Sequence, residues 1–380
     1  MTLAVAGCAP TTSGPETICD EPKLETCAVN LSVAPEPARE AARFACADEP
    51  VDLYAGRGGT ISDALFVADD TGIAVANFDV VELWRPGVDE PSATCWGHRG
   101  TVLDIDVRGP LLASVAADGT AWLWQASSCS EQLALDRIAG KLSQVVLSSD
   151  GRHVAAAGDR HAYLWSVDAP APISIIEHPG TIVTIAFSRA GAELFTSDRE
   201  GLVKLTAPGA RPTTIIERPD SVAVVPLVID AEEYLALAGD SVGVWRRGDG
   251  RYTEGGPLYA AWSIDPHASP DQRRLLTTNF KAAKLWSLPD ARLIATVDGK
   301  SFHAAEFSPD GAHFALADRG RLRLYRVADG VELDAVNLPD GFHTKRISFS
   351  ADSRHVLVAL NGYRHGMAYS WCPKLEERAR

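Results

Sequence analysis

The sequence lacks the features by which most catalytic and membrane-spanning chains announce themselves. No run of 18 apolar residues occurs among its 380, so no segment has the length of a spanning helix. The ten histidines never fall as His-x-His or His-x-x-x-His, and Cys-x-x-Cys is absent, which excludes the common local metal-ligand spacings. A glycine cluster at Gly56, Gly58 and Gly59 is followed by Thr60 with no lysine, so it is not a phosphate loop. Basic residues are in deficit: 36 Lys and Arg against 50 Asp and Glu leave a net charge of −14. That balance argues against nucleic acid, which selects a basic footprint, and against direct attraction to an anionic membrane. The expectation is a chain with no cofactor, no metal site and no catalytic residue, and no stripe of helical period relieves the pattern.

What is present is a repeat. Within Cys95–Trp124 the pair Gly97-His98 leads into an alternating apolar run, Val102 to Val107, and a second apolar run, Leu111 to Val115. The turn Asp118-Gly119 then opens a third run that ends at Leu123-Trp124. Period-two alternation broken by a two-residue turn predicts consecutive antiparallel strands. The closing position returns as Trp84, Trp124, Trp165, Thr206, Trp245, Trp286, Tyr325 and Trp371, in steps of 39 to 41 with a last step of 46. A first turn recurs as well, at Ser148–Gly151, Ser188–Gly191, Ser308–Gly311 and Ser350–Ser353. Units of about 40 residues made only of strands predict an all-β fold, an eight-bladed β-propeller, with seven blades as the alternative.

At these residues the chain resembles the WD40-repeat family in a diverged bacterial form, over roughly 51–372, although the Asp that follows each Trp in the family is missing. The resemblance implies four-stranded antiparallel blades, the last closed by an N-terminal strand. It also implies a buried network at His98, Ser114, Asp118 and Trp124. The first three have the residue types of a hydrolase triad, but no Gly-x-Ser-x-Gly elbow exposes the serine, so a structural role is expected. Other copies are incomplete: Asp159 with Trp165, His178 without a closing Trp, and Asp318 with Tyr325. Those blades are expected to lean on apolar burial, which neighbouring repeats support.

Residues 1–50 show no repeat and read as a leader or linker, and 373–380 as a tail. Val5, Ala6, Gly7 and Cys8 resemble a bacterial lipobox, with Cys8 the lipidated residue. The charged and apolar regions of a signal peptide are missing, so either the true start lies upstream, the reading taken here, or the match is accidental. The six cysteines other than Cys8 are even in number and fit an oxidising compartment. On the family's topology the strand from Val51 to Tyr54 borders the strand ending at Trp371, which brings Cys46 beside Cys372. Cys19 and Cys27 pair within the leader. Cys95 and Cys129 sit six positions apart in their offset from the preceding Trp, about 20 Å along a strand, and are expected as free thiols.

The same topology sets Arg57, Arg99, Arg160, Arg199, Arg218, Lys281, Lys300 and Arg319 on one face, a basic rim for an acidic segment or an anionic ligand. The nine tryptophans mostly hold the closing position, while Trp96, Trp122 and Trp262 fall off it, and Trp96 and Trp122 are candidates for exposed contacts. Inward strands such as Val183–Ala186 and Ala304–Phe307 read as small and apolar, with Asp104, Asp106 and Glu306 as exceptions. The functional expectation is a non-enzymatic, monomeric protein-interaction scaffold of the bacterial cell envelope, periplasmic or anchored in the outer membrane through Cys8. The alternatives are a cytoplasmic location, and a ligand-binding or hydrolytic propeller that uses channel-mouth residues.

Overall fold

The structure is a computed structural model describing Cys46 and residues 51–374 with short interruptions, the longest at 259–264. The chain divides into residues 1–40 and 41–380. The first part, with Cys8, Cys19 and Cys27, lies outside the described residues, as do Arg57, Arg218, Trp262, Lys300, Arg319 and the end of the tail.

Among the described residues, 32 strands form eight four-stranded antiparallel sheets. In chain order their innermost strands are Ile61–Phe66, Val102–Arg108, Gln144–Leu147, Ile182–Phe187, Ser221–Ile229, Asp265–Ala268, Ala304–Phe307 and Phe342–Phe349. We number the sheets 1 to 8 accordingly. Each inner strand lies beside the inner strand of the next sheet, and that of sheet 8 lies beside that of sheet 1. Sheet 8 takes its outer edge from Val51–Asp52, which pairs antiparallel with Gly366–Trp371 at Val51↔Ser370. The fold is a β-propeller closed by an N-terminal strand.

Alternation within a strand explains why the sheets assemble face to face. Every residue of Leu111–Ala116 is buried, yet Leu112 joins the core shared with sheet 1 while Leu111, Ala113 and Val115 join the core shared with sheet 3. A strand whose two faces are both covered reads as continuously apolar. The closing tryptophans face backward: Trp124 packs toward sheet 1, Trp165 toward sheet 2, and Trp84 against Leu357, Ala359 and Ala368 of sheet 8. Each buried indole is worth about 3–5 kcal/mol against alanine.

Two disulfides fasten neighbouring segments. Cys46–Cys372 joins the two ends of the ring. Cys95–Cys129 is also bonded, with Cα atoms 4.8 Å apart, which corrects the expectation of free thiols. Counting from each Trp treated both cysteines as strand residues. Cys95 is on the outer strand Ala93–Trp96, but Cys129 lies in the turn before Glu131–Leu135 with φ 55°, and its sulfur reaches across to Val81 O, the carbonyl of Cys95's register partner. A turn can cross to the neighbouring sheet where a strand position cannot.

Candidate functional site

The first strands begin against the turns between second and third strands of the preceding sheet. Val102 N donates to Phe78 O, Leu142 N to Ala116 O and Ile182 N to Asp159 O. These turns and strand starts therefore share one face, the mouth of the channel. At that end the register slips by one residue in sheets 1, 2, 4, 5 and 8, leaving Ser62, Leu103, Val183, Val222 and Lys345 as bulge residues. Bulges re-aim side chains, and in sheets 1, 2, 4 and 8 the bulge residue and the one after it both line the cavity at the mouth.

The mouth holds a cavity of about 460 Å³ whose lining includes Asp63, Asp104, Gln144, Thr184, His267, Glu306, Lys345 and Arg346. This is a polar lining, against the expectation of small and apolar groups. Adjacent inner strands do not hydrogen-bond to each other as a sheet, so their edge amides need other acceptors. Carboxylates supply them. Asp63 Oδ2 accepts from Ile105 N at 3.4 Å, Asp104 Oδ2 from Val145 N at 2.8 Å, and Asp106 Oδ2 from Leu147 N at 2.8 Å. Each acid thus ties its strand to the next one round the ring.

Arg346 is the cation of this cluster. Its Nη1 donates to Asp63 Oδ2 at 2.8 Å, to Asp104 Oδ1 at 3.4 Å and to Ile105 O at 3.2 Å, spanning sheets 8, 1 and 2. Burial alone would weaken its hold on the proton, but Asp63, Asp104, Asp106 and Glu306 outweigh that and keep the guanidinium above even its ordinary range. Burial, then the adjacent Asp63 carboxylate, pushes Asp104 well up, against the pull of Arg346 and the Val145 amide. Burial also raises Asp106. Asp63 and Asp104 thus share the one guanidinium of Arg346. Across the cavity, His267 Nδ1 lies 3.9 Å from Glu306 Oε2.

The triad-like residues stand apart from this cavity and are structural. His98 Nε2 and Ser114 Oγ are 2.7 Å apart, and Trp124 Nε1 donates to the same hydroxyl at 2.9 Å. Ser114 is fully buried, so no substrate reaches it. Asp118 does not touch His98 directly. Thr120, absent from the sequence-based network, bridges them: its Oγ1 donates to Asp118 Oδ1 at 2.6 Å and faces His98 Nδ1 at 2.6 Å. The Asp-Gly-Thr order was the available signal. Burial lowers the His98 pKa to about 4 despite Asp118 and Asp79, so the imidazole is neutral.

Sheet 4 keeps more of this arrangement than its missing Trp suggested, because His178 meets Thr196 at 2.7 Å and Asp198 at 3.2 Å. In sheet 7, Asp318 pairs with Arg323 in place of Tyr325. A further Ser-Asp turn joins Ser269 Oγ to Asp271 Oδ1 at 2.5 Å, with Gln272, at φ 61°, where three of the other four copies have Gly and the fourth has Ser353, also at φ 61°.

Of the basic rim, Arg99, Arg160, Arg199 and Lys281 are described, and all lie in the mouth-face turns or the links into first strands. Arg99 N donates to Asp118 Oδ2, Arg199 N to Thr181 O, and Lys281 O accepts from Gly299 N. Trp96 is 72% exposed and opposes Val80 across its sheet, and Phe78, 50% exposed, precedes Val80 by two residues in the same turn. Trp122 is instead half-buried and stacks on Trp124 at 5.1 Å.

Residues 89–125 and 138–166 match the family model described as WD domain, G-beta repeat. Angio-associated migratory cell protein from Homo sapiens is 21% identical over 194 residues, which are 50% of this chain and 45% of that protein, and the Pongo abelii protein matches to the same extent. The chain thus spans about half the length of the curated relatives it matches. Among solved structures, the C-terminal WD40 domain of Sif2 superposes with a TM-score of 0.72 at 16% identity, covering 86% of this chain and 99% of that one. The computationally designed Ika8 protein superposes with a TM-score of 0.68 at 14% identity, covering 84% and 99%. Sheets 2 and 3 are accordingly matched to WD40 repeats, and the chain has the fold of a WD40-type β-propeller with four-stranded antiparallel blades.

Proposed function

We propose that this protein is a WD40-repeat interaction scaffold, an eight-bladed ring that binds a protein partner on its mouth face. The observation that carries the proposal is the exposure of two aromatic rings, Trp96 and Phe78, in segments that flank Arg99: Trp96 precedes it by three residues, and Phe78 O accepts from Val102 N three residues beyond it. Trp and Arg are the side chains that most often dominate binding energy at protein interfaces, and Lys and Glu are depleted there. With Arg160, Arg199 and Lys281 on the same face, the chemistry fits a segment that alternates apolar and acidic residues. The scaffold acts as a monomer and performs no catalysis. Two disulfides support an exported address in the cell envelope, and Cys8 is the anchor in that reading.

Affinity capture with the full chain, against Trp96→Ala and Arg99→Glu variants, tests the scaffold. A partner retained by the parent and lost by both variants is expected. A partner captured equally by all three removes the patch from the interface.

The polar cavity favours a second reading, a small-ligand site at the same mouth, because convergent charged groups in a concave pocket are what small-ligand recognition uses. Thermal-shift screening separates the two. A ligand whose stabilisation disappears in Lys345→Ala, with capture unchanged, selects the cavity.

A further inference from the structure

Three segments converge where the ends of the ring meet. In sheet 8 Val356 pairs with Trp371, which sets the next residues outward, His355 and Cys372, opposite one another. Val51 pairs with Ser370, and Cys46, five positions earlier in the sequence, is bonded to Cys372 with Cα atoms 5.1 Å apart. His355 is buried, and its Nε2 lies 3.8 Å from Cys46 Sγ. The three ligand atoms all fall within 4.8 Å of one another.

We propose that this joint is a redox-dependent metal site: when the Cys46–Cys372 disulfide is reduced, both thiolates and His355 Nε2 bind one thiophilic cation of the Zn(II) class. The balance is simple. A dithiol reductant gives two electrons and two protons to the disulfide, becoming a disulfide itself, and the two new thiols release two protons as the ion binds. A tetrahedral ion with bonds of about 2.3 Å to sulfur and about 2.05 Å to nitrogen places sulfur and nitrogen about 3.6 Å apart, and the two sulfurs about 3.8 Å apart. The sulfur-to-nitrogen edge is already 3.8 Å. The two sulfurs must separate by roughly 2 Å, and Cys372 Sγ, within 4.8 Å of the imidazole nitrogen, must close on it by up to about 1.2 Å, which side-chain rotation and a small shift of either segment supply. Two thiolates neutralise the dication, and water completes the fourth position. The ring is then fastened in both redox states, by a bond or by an ion.

Cobalt(II) titration of the reduced, desalted full-length chain under anaerobic conditions is the test. The expected result is one equivalent bound with a thiolate-to-cobalt charge-transfer band, displaced by zinc. Cys46→Ser/Cys372→Ser keeps the other five cysteines, so any band it retains is theirs and is subtracted. His355→Ala is expected to weaken binding at least tenfold, and His355→Cys to restore it with a stronger sulfur band. Circular dichroism confirms that each variant is folded. No thiolate band in the parent, or a band equally strong in the double serine variant or in His355→Ala, overturns the proposal.

Discussion

Replacing Arg346 by Met tests the electrostatics of the channel mouth. The variant loses three hydrogen bonds, to Asp63, Asp104 and Ile105 O, and leaves the two acids without their cation. Breaking a buried pair from one side costs about 3–5 kcal/mol. The Arg346 side chain is 36% exposed, and screening there lowers the expected cost to about 2–3 kcal/mol near pH 7.5. For a domain of this size roughly 1.4 °C of melting temperature corresponds to 1 kcal/mol, so the loss is about 3–4 °C.

The pH dependence carries the sharper signature. Asp104 is raised in the folded protein, so the stability it contributes is present below its unfolded value of about 3.9 and is lost as pH rises through the folded value. Removing the guanidinium raises Asp104 further, which extends that loss to higher pH. The variant therefore falls further below the parent as pH rises. Melting curves from pH 5 to 8 read this directly. A deficit that is the same at every pH, or absent, refutes the carboxylate cluster as drawn.

Three further outcomes follow from the geometry. Ser114→Ala removes the shared partner of His98 and Trp124 and costs about 2–4 kcal/mol, read as a shift in the denaturant midpoint. Because His98 titrates near 4 when folded and near 6.5 when unfolded, the unfolded chain binds more protons between those values, and stability falls by about 3 kcal/mol as pH drops across that window. His98→Gln flattens this slope. Cys95→Ala/Cys129→Ala releases a loop closed over a separation of 34 residues and loses roughly 3–4 kcal/mol on the chain-entropy model, while non-reducing peptide mapping of the parent recovers the linked Cys95 and Cys129 peptides.

The repeat was legible because one bulky residue per unit must fill the same wedge between sheets, so Trp84, Trp124, Trp165 and Trp286 mark it even where their neighbours vary. The Cys46–Cys372 joint was legible because closing a ring fixes which strand ends meet. Contacts between repeats were harder to read. Asp63 and Asp104 share an offset of 41 residues, but their role depends on amides of the following sheet, which a single unit does not contain. Arg346 gave no signal at all, since it reaches acids more than 240 positions away. The Cys95–Cys129 bond was hidden for the same reason: a turn of one sheet closes on an edge of another.

Electron microscopy of the purified chain, averaged in projection down the channel axis, tests the closed ring on which the mouth, the cavity and the joint all depend. Eight radial lobes around a central hole, with no break in the circumference, is the predicted image. Seven lobes, or an arc open between the first and last sheets, contradicts it.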